Sequence, residues 1–222
     1  MQPKGCISYY SGPKKEEAMM NEVYYDLFPS LIYQWVAGMC HAKACPDTCS
    51  VYFCSDPYRG RIHFHEHNVV ELAIEDKRTD ENVFYLHFEM TDMKIIVDHI
   101  RSFFHFLCGH TEEVSLDASK VSSHEQLKIL LSCTAGLTTS YFAYLMQEAL
   151  APLKENITID AVSYLDLDQV QQDYDVILLA PQIAYKYPEL KERYGSKLMK
   201  IDTLDFATGN VNHVLNEVLI VH

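Results

Sequence analysis

From residue 127 onward, unbroken apolar blocks alternate with stretches of helical period. Residues 127–132 (LKILLS) and 175–180 (DVILLA) are apolar almost throughout, as strands buried on both faces of a parallel sheet are. Residues 157–163 (ITIDAVS) and 197–202 (KLMKID) read as two further strands. Segments 138–149, 165–174, 184–194 and 210–221 carry helical spacing between and after them. Strands alternating with helices, joined by right-handed crossovers, predict an α/β domain over 127–222 with a four-stranded, doubly wound parallel sheet.

The first half has a different rhythm. Residues 14–39 read as a helix or helix pair broken near Pro29, with Leu27, Leu31, Ile32, Trp35, Val36 and Met39 at helical spacing. A cysteine-punctuated stretch follows, with a short strand over 50–54. Residues 61–67, 68–75 and 82–90 have strand character, and the last alternates Phe84, Leu86, Phe88 and Met90 with Val83, Tyr85, His87 and Glu89. The polar run 76–81 (DKRTDE) suits a hairpin connection. Residues 92–108 predict a helix capped by Thr91 or Asp92 and ended by Gly109. The sum is an N-terminal α+β domain over 1–110: helix, antiparallel meander, helix. The polar segment 111–126 is expected to be a linker to the domain at 127–222.

Composition narrows the class. A formal net charge of −13 with only 18 Lys plus Arg argues against nucleic-acid binding and against non-specific adsorption to anionic membrane. No apolar run approaches the ~20 residues a membrane-spanning helix needs. The first dozen residues lack the apolar core of a secretory signal, so a cytoplasmic location is expected. Seven cysteines, an odd number in a chain without a signal, are expected as free thiols. Six of them precede residue 127. Cys40, Cys45, Cys49 and Cys54 lack the two-residue spacing of a zinc ribbon. His63, His65 and His67 would share one face of a continuous strand, and a solvated histidine face is the commoner outcome. No metal and no cofactor are expected.

The seventh cysteine stands apart. Cys133 follows the first predicted parallel strand and opens the segment Thr134, Ala135, Gly136, Leu137, Thr138, Thr139, Ser140, after which a helix begins. Such a loop aims several backbone N–H groups and the helix dipole at one spot, and ligands of open α/β sheets bind there. The hydroxyls of Thr134, Thr138, Thr139 and Ser140 add donors. Cysteine at its head is a nucleophile in an anion-binding loop, although a merely buried cysteine ending a strand has the same appearance.

Residues 130–140 (LLSCTAGLTTS) resemble the strand and phosphate loop of enzyme IIB of the lactose/cellobiose class of the bacterial sugar phosphotransferase system. Residues 175–185 (DVILLAPQIAY) are similar to that family's third strand and following turn, and Ile201-Asp202-Thr203 to the end of its fourth. The three matches keep the family's order and spacing within the C-terminal half, from about residue 126 to the end. The resemblance implies a phosphocarrier. Cys133 would take a phosphoryl group from a phosphohistidine of enzyme IIA and pass it to a lactose- or cellobiose-type sugar held by the membrane enzyme IIC. Residues 134–140, Gln182 and Tyr185 would surround the phosphoryl group, and the protein would be a transferase component at the inner face of the membrane. The low-molecular-weight tyrosine phosphatases also place a cysteine in a strand-to-helix loop, but that loop carries an Arg, and none occurs from Thr134 to Ser140.

Nothing in residues 1–115 resembles enzyme IIB, and the sequence there points to no particular family. An added N-terminal domain keeps a second reading open, a phosphorylation-sensing regulator whose N-terminal domain senses or dimerises. A homodimer through that domain is the corresponding expectation.

Overall fold

The computed structural model describes residues 27–39, 41–109, 114–117, 119, 126–134, 137–153 and 157–221. The chain divides into two compact units, 1–110 and 111–222.

In the first unit, helix α1 (Phe28–Ala37) is followed by five strands and helix α2 (Met93–Leu107). The strands β1 (Lys43–Cys45), β2 (Ser50–Cys54), β3 (Tyr58–Phe64), β4 (Val69–Asp76) and β5 (Glu81–Glu89) form one antiparallel sheet in sequence order. Their alternation decides which face is covered. Phe53, Ile62, Leu72, Phe84 and Leu86 are buried on one face, and α2 lays Phe103, Phe106 and Leu107 against it. Gly60 permits the close approach: a Cβ there would lie 2.7 Å from the Phe103 ring. Asp92 caps α2, its Oδ1 accepting from Ile95 N at 3.0 Å, and Gly109 leaves the helix at φ +82°.

The antiparallel meander between two helices matches the expected class, with local corrections. Pro29 sits in the first turn of α1, where its missing N–H costs nothing. The expected helix over 14–26 lies outside the described residues. Strand β3 ends at Phe64, and His67 and Asn68 (φ 59° and 58°) form the turn to β4, so His67 does not continue the face of His63 and His65. β1 went unread because three mostly exposed residues carry no alternation. Cys49 is disulfide-bonded, against the expectation of free thiols, with its partner outside the described residues. An odd cysteine count excludes complete pairing, not a single bond. Among the described residues, Cys45, Cys54, Cys108 and Cys133 form no disulfide.

The second unit is built on a parallel sheet in the order β7–β6–β8–β9. Its strands are β6 (Leu127–Cys133), β7 (Ile157–Ser163), β8 (Val176–Leu179) and β9 (Leu198–Lys200). Helices α3 (Leu137–Leu150), α4 (Leu167–Val170) and α5 (Tyr187–Tyr194) connect them, and α6 (Thr203–Thr208) and α7 (Val211–Val221) close the chain. Leu130, Ile177, Leu179 and Leu198 pack with Leu167 of α4 and Leu190 of α5. The alternate side chains, Ile129, Leu131 and Leu178, are equally buried on the other face. Phe142 of α3 stacks on Phe206 of α6 with ring centroids 5.0 Å apart.

Helix α6 is an element the apolar pattern did not reveal, because six residues give no usable period. Its punctuation was present: Asp202 accepts from Leu204 N at 2.8 Å, and Gly209 ends it at φ 71°. The described part of the expected linker is tied to α7. Asn216 accepts from Asp117 N and donates to Ser115 O, both at 2.9 Å, and Asn212 donates to Val114 O at 3.2 Å. Among the described residues, no helix is long and apolar enough to cross a membrane.

Candidate functional site

Strand order places the site. β6 is an inner strand from which the chain first crosses to β7 and then, beyond β7, returns to β8 on the opposite side. The carboxyl end of β6 is therefore the switch point of the sheet, where open α/β sheets bind ligands. Cys133 is the last residue of β6, not the first of the loop, and it is 4% exposed. Its carbonyl accepts from Tyr164 N at 2.9 Å, fixing the strand end against β7. Its Sγ lies 3.1 Å from Oγ1 of Thr139, a fully buried hydroxyl in the first turn of α3. α3 thus begins beside the thiol, with its first-turn N–H groups and the positive end of its dipole at the strand terminus.

The remaining expected residues fall around this point unevenly. Leu137 opens α3, Thr138 is half-buried, and Thr134 and Ser140 are exposed. Ala135 and Gly136 lie outside the described residues. Gln182 and Tyr185 sit in the 3-10 turn Pro181–Lys186 directly after β8, which contacts β6. The turn is held by Ala180 N donating to Ser132 O at 2.9 Å. Gln182 is buried, and its Oε1 has no hydrogen-bond partner among the described residues. Tyr185 packs against the apolar cluster of β8 and α5, with Lys186 Nζ 5.6 Å from its ring centroid.

Two residues near the site were not singled out from the sequence. Ser163 ends β7 in register with Cys133, and its hydroxyl donates to Thr134 O at 2.9 Å, pinning the start of the loop. Only the parallel register, invisible before the topology is known, brings them together. Ser132 is fully buried, and its Oγ has no hydrogen-bond partner among the described residues. A serine inside an otherwise apolar buried strand is a visible anomaly that could have flagged it.

A titratable pair stands where α6 meets α7. His213 Nδ1 is 2.6 Å from Oδ2 of Asp205, whose Oδ1 accepts from Asn210 Nδ2 at 2.9 Å. The hydrogen bond to Asp205 raises the His213 pKa above the ordinary value, and burial raises that of Asp205.

In the first unit, His63 and His65 do approach, with ring centroids 4.2 Å apart. His63 Nδ1 is 2.8 Å from Ser50 Oγ, and its pKa is lowered, chiefly by burial and then by His65. Glu71, beside them, is engaged by Arg61 and by Tyr85 OH. Among the described residues, no three His, Cys, Asp or Glu side chains are arranged to hold a metal ion.

Comparison with known proteins finds relatives of the C-terminal part of the chain. Residues 128–217 match the family described as the lactose/cellobiose-specific IIB subunit of the PTS system. A lactose-specific EIICB component of the PTS system from Staphylococcus haemolyticus is 32% identical over 98 residues, 43% of this chain and 17% of that protein. The component of the same name from Staphylococcus aureus is 31% identical over 97 residues, 42% of this chain and again 17% of that protein. The chain thus spans 17% of the length of these curated relatives. Two solved structures are similar over the same region. The cellobiose-specific phosphotransferase IIB component protein of Borrelia burgdorferi shows 31% identity over 43% of this chain and 91% of its own, with a TM-score of 0.39. The lactose-specific IIB component domain of Streptococcus pneumoniae shows 23% identity over 44% of this chain and 98% of its own, also with a TM-score of 0.39. Residues 128–217, in the C-terminal half of the chain, thus form a domain that matches the lactose/cellobiose-specific IIB family of the phosphotransferase system.

Proposed function

We propose that the C-terminal unit is a phosphocarrier and that Cys133 Sγ carries the phosphoryl group. The sulfur attacks the phosphorus of a phosphohistidine on enzyme IIA. The N–P bond breaks, an S–P bond forms, the thiol proton leaves and the histidine is released. In the second step a sugar hydroxyl held by membrane enzyme IIC attacks the same phosphorus, the S–P bond breaks and the thiol is regenerated. The acceptor is a lactose- or cellobiose-type sugar, and the protein works at the cytoplasmic face of the membrane that holds enzyme IIC.

One observation carries this reading. A nucleophilic sulfur sits at the switch point of the sheet, 3.1 Å from a buried hydroxyl in the first turn of a 14-residue helix. Donors converging there suit the three oxygens of a phosphoryl group. The hydroxyls and N–H groups of Thr134, Thr138, Thr139 and Ser140, the N–H groups of Ala135, Gly136 and Leu137, and the side chains of Gln182 and Tyr185 are the contacts we assign. Thr134 to Ser140 include no Arg. A loop that clamps phosphate less tightly than a bidentate guanidinium does suits a group that must leave again.

The test is phosphorylation of the full chain by phosphoenolpyruvate, the general phosphotransferase proteins and a lactose-class enzyme IIA, read by intact mass spectrometry. One added phosphoryl group is expected on the wild type and none on Cys133→Ser. Unchanged labelling of Cys133→Ser rules out the assignment.

A further inference from the structure

We infer that the basic pole formed by Lys186, Lys191 and Lys200 around Tyr187 is the docking surface for the phosphorylated enzyme IIA, meeting an acidic face on that protein. The inference rests on the phosphocarrier reading and adds to it where the donor sits and what steers it there.

The second unit is acidic, yet its positive charge is concentrated. Five of its eight Lys and Arg residues lie within 186–200, beside only two carboxylates, Glu189 and Glu192. The rest of the unit carries three lysines against fourteen carboxylates. The concentration is held in place. Lys200 Nζ is 4.9 Å and Lys191 Nζ 5.7 Å from the centroid of the Tyr187 ring, and Lys186 Nζ is 5.6 Å from that of Tyr185. Stacking on aromatic faces fixes the cations without neutralising them. Of the five, Lys186 pairs with Glu189 at 3.5 Å and Arg193 with Asp168; among the described residues neither Lys191 nor Lys200 makes a salt bridge.

Register places this pole beside the nucleophile. Lys200 pairs with Leu179, and Leu179 with Ser132, the residue before Cys133. Two strand spacings put the Lys200 backbone about 10 Å from β6 in that row, close to one screening length at physiological ionic strength. Cys133 is 4% exposed, so a donor histidine must be brought down onto the loop before transfer. A protein seated over Cys133 therefore also covers the carboxyl end of β9 and the start of α5. In a chain of net charge −13, such a pole is where an acidic partner is attracted rather than repelled.

The test measures the rate of Cys133 phosphorylation against the concentration of phosphorylated enzyme IIA, at several salt concentrations. The wild-type rate at low donor concentration should fall as salt rises. Lys200→Glu should lower it several-fold, and the triple variant K186E/K191E/K200E by about tenfold or more, with little salt dependence left. Lys128→Glu, at the opposite end of β6, should leave it unchanged. Lys200 is exposed, so its single variant remains decisive even if the triple variant folds poorly. Phosphorylation at wild-type, salt-independent rates in Lys200→Glu overturns the docking surface while leaving the carrier reading intact. A wild-type Cys133 that takes no phosphoryl group from any lactose-class enzyme IIA overturns both.

Discussion

Replacing Thr139 by valine removes one hydroxyl and keeps the shape. In the resting protein this deletes the 3.1 Å contact with Cys133 Sγ inside a fully buried site. A neutral hydrogen bond contributes about 0.5–1.5 kcal/mol net, so unfolding stability should drop by no more than that range. The effect on phosphotransfer should be larger, because the phosphocarrier reading assigns this hydroxyl to the negatively charged phosphoryl oxygens as well. Loss of one preorganised donor to a developing anion costs about 100-fold at the lower end of the usual range, or about 2.7 kcal/mol of barrier. Single-turnover transfer from phosphorylated enzyme IIA to Thr139→Val measures it, with chemical denaturation of the same sample as the control. Thr139→Ser, which restores the hydroxyl, should recover most of the rate. Transfer to Thr139→Val within about twofold of wild type, or no rescue by serine, would show that the hydroxyl does not serve the transferred group.

Three further outcomes follow from other parts of the molecule. In Gly60→Ala the new methyl meets the Phe103 ring at 2.7 Å and Leu107 at 3.2 Å, so the first unit should lose about 1–3 kcal/mol in urea unfolding; an unchanged midpoint contradicts the packing described. The folded-state pKa of His213 is raised by Asp205, so the folded protein holds that proton more tightly than the unfolded chain. Its contribution is complete below the ordinary value of 6.5 and is lost as pH rises through the folded value; wild-type urea midpoints should decline over that interval more than those of His213→Gln, and parallel curves refute the pairing. Fragments 1–110 and 111–222, expressed separately, should each give the circular dichroism and cooperative unfolding of a folded domain, because each has its own core; failure of either means the units depend on each other.

The second unit was legible because its signals are local and redundant. The unbroken run before Cys133 can be little but a strand buried on both faces, and the glycine and hydroxyls after it mark the turn from strand to helix. The first unit was legible in outline only. Alternation along β5 identified a half-buried strand, and Asp92 and Gly109 punctuated α2. Whether His67 extended a strand or turned a corner depended on backbone conformation, which a β-rich stretch of sequence does not disclose. Within the site, Cys133, Thr139 and the turn at Gln182 could be named from motif alone. Ser163 could not, because thirty residues separate it from Cys133 and only the parallel register of β6 and β7 makes them neighbours. Ser132 and Gln182 expose a different limit: a hydropathy pattern shows that a residue is buried, but not whether its polar atom finds a partner among the described residues.

A phosphocarrier of this kind requires phosphorus bonded to the sulfur of Cys133. The bond is observed directly in a phosphorus NMR spectrum of the full chain after phosphorylation through enzyme IIA, recorded without denaturation. One protein-bound resonance characteristic of an S–P bond is expected, absent from Cys133→Ser and discharged when membranes containing enzyme IIC and its sugar are added. A resonance characteristic of an N–P or O–P bond, or an S–P resonance that survives Cys133→Ser, contradicts the assignment.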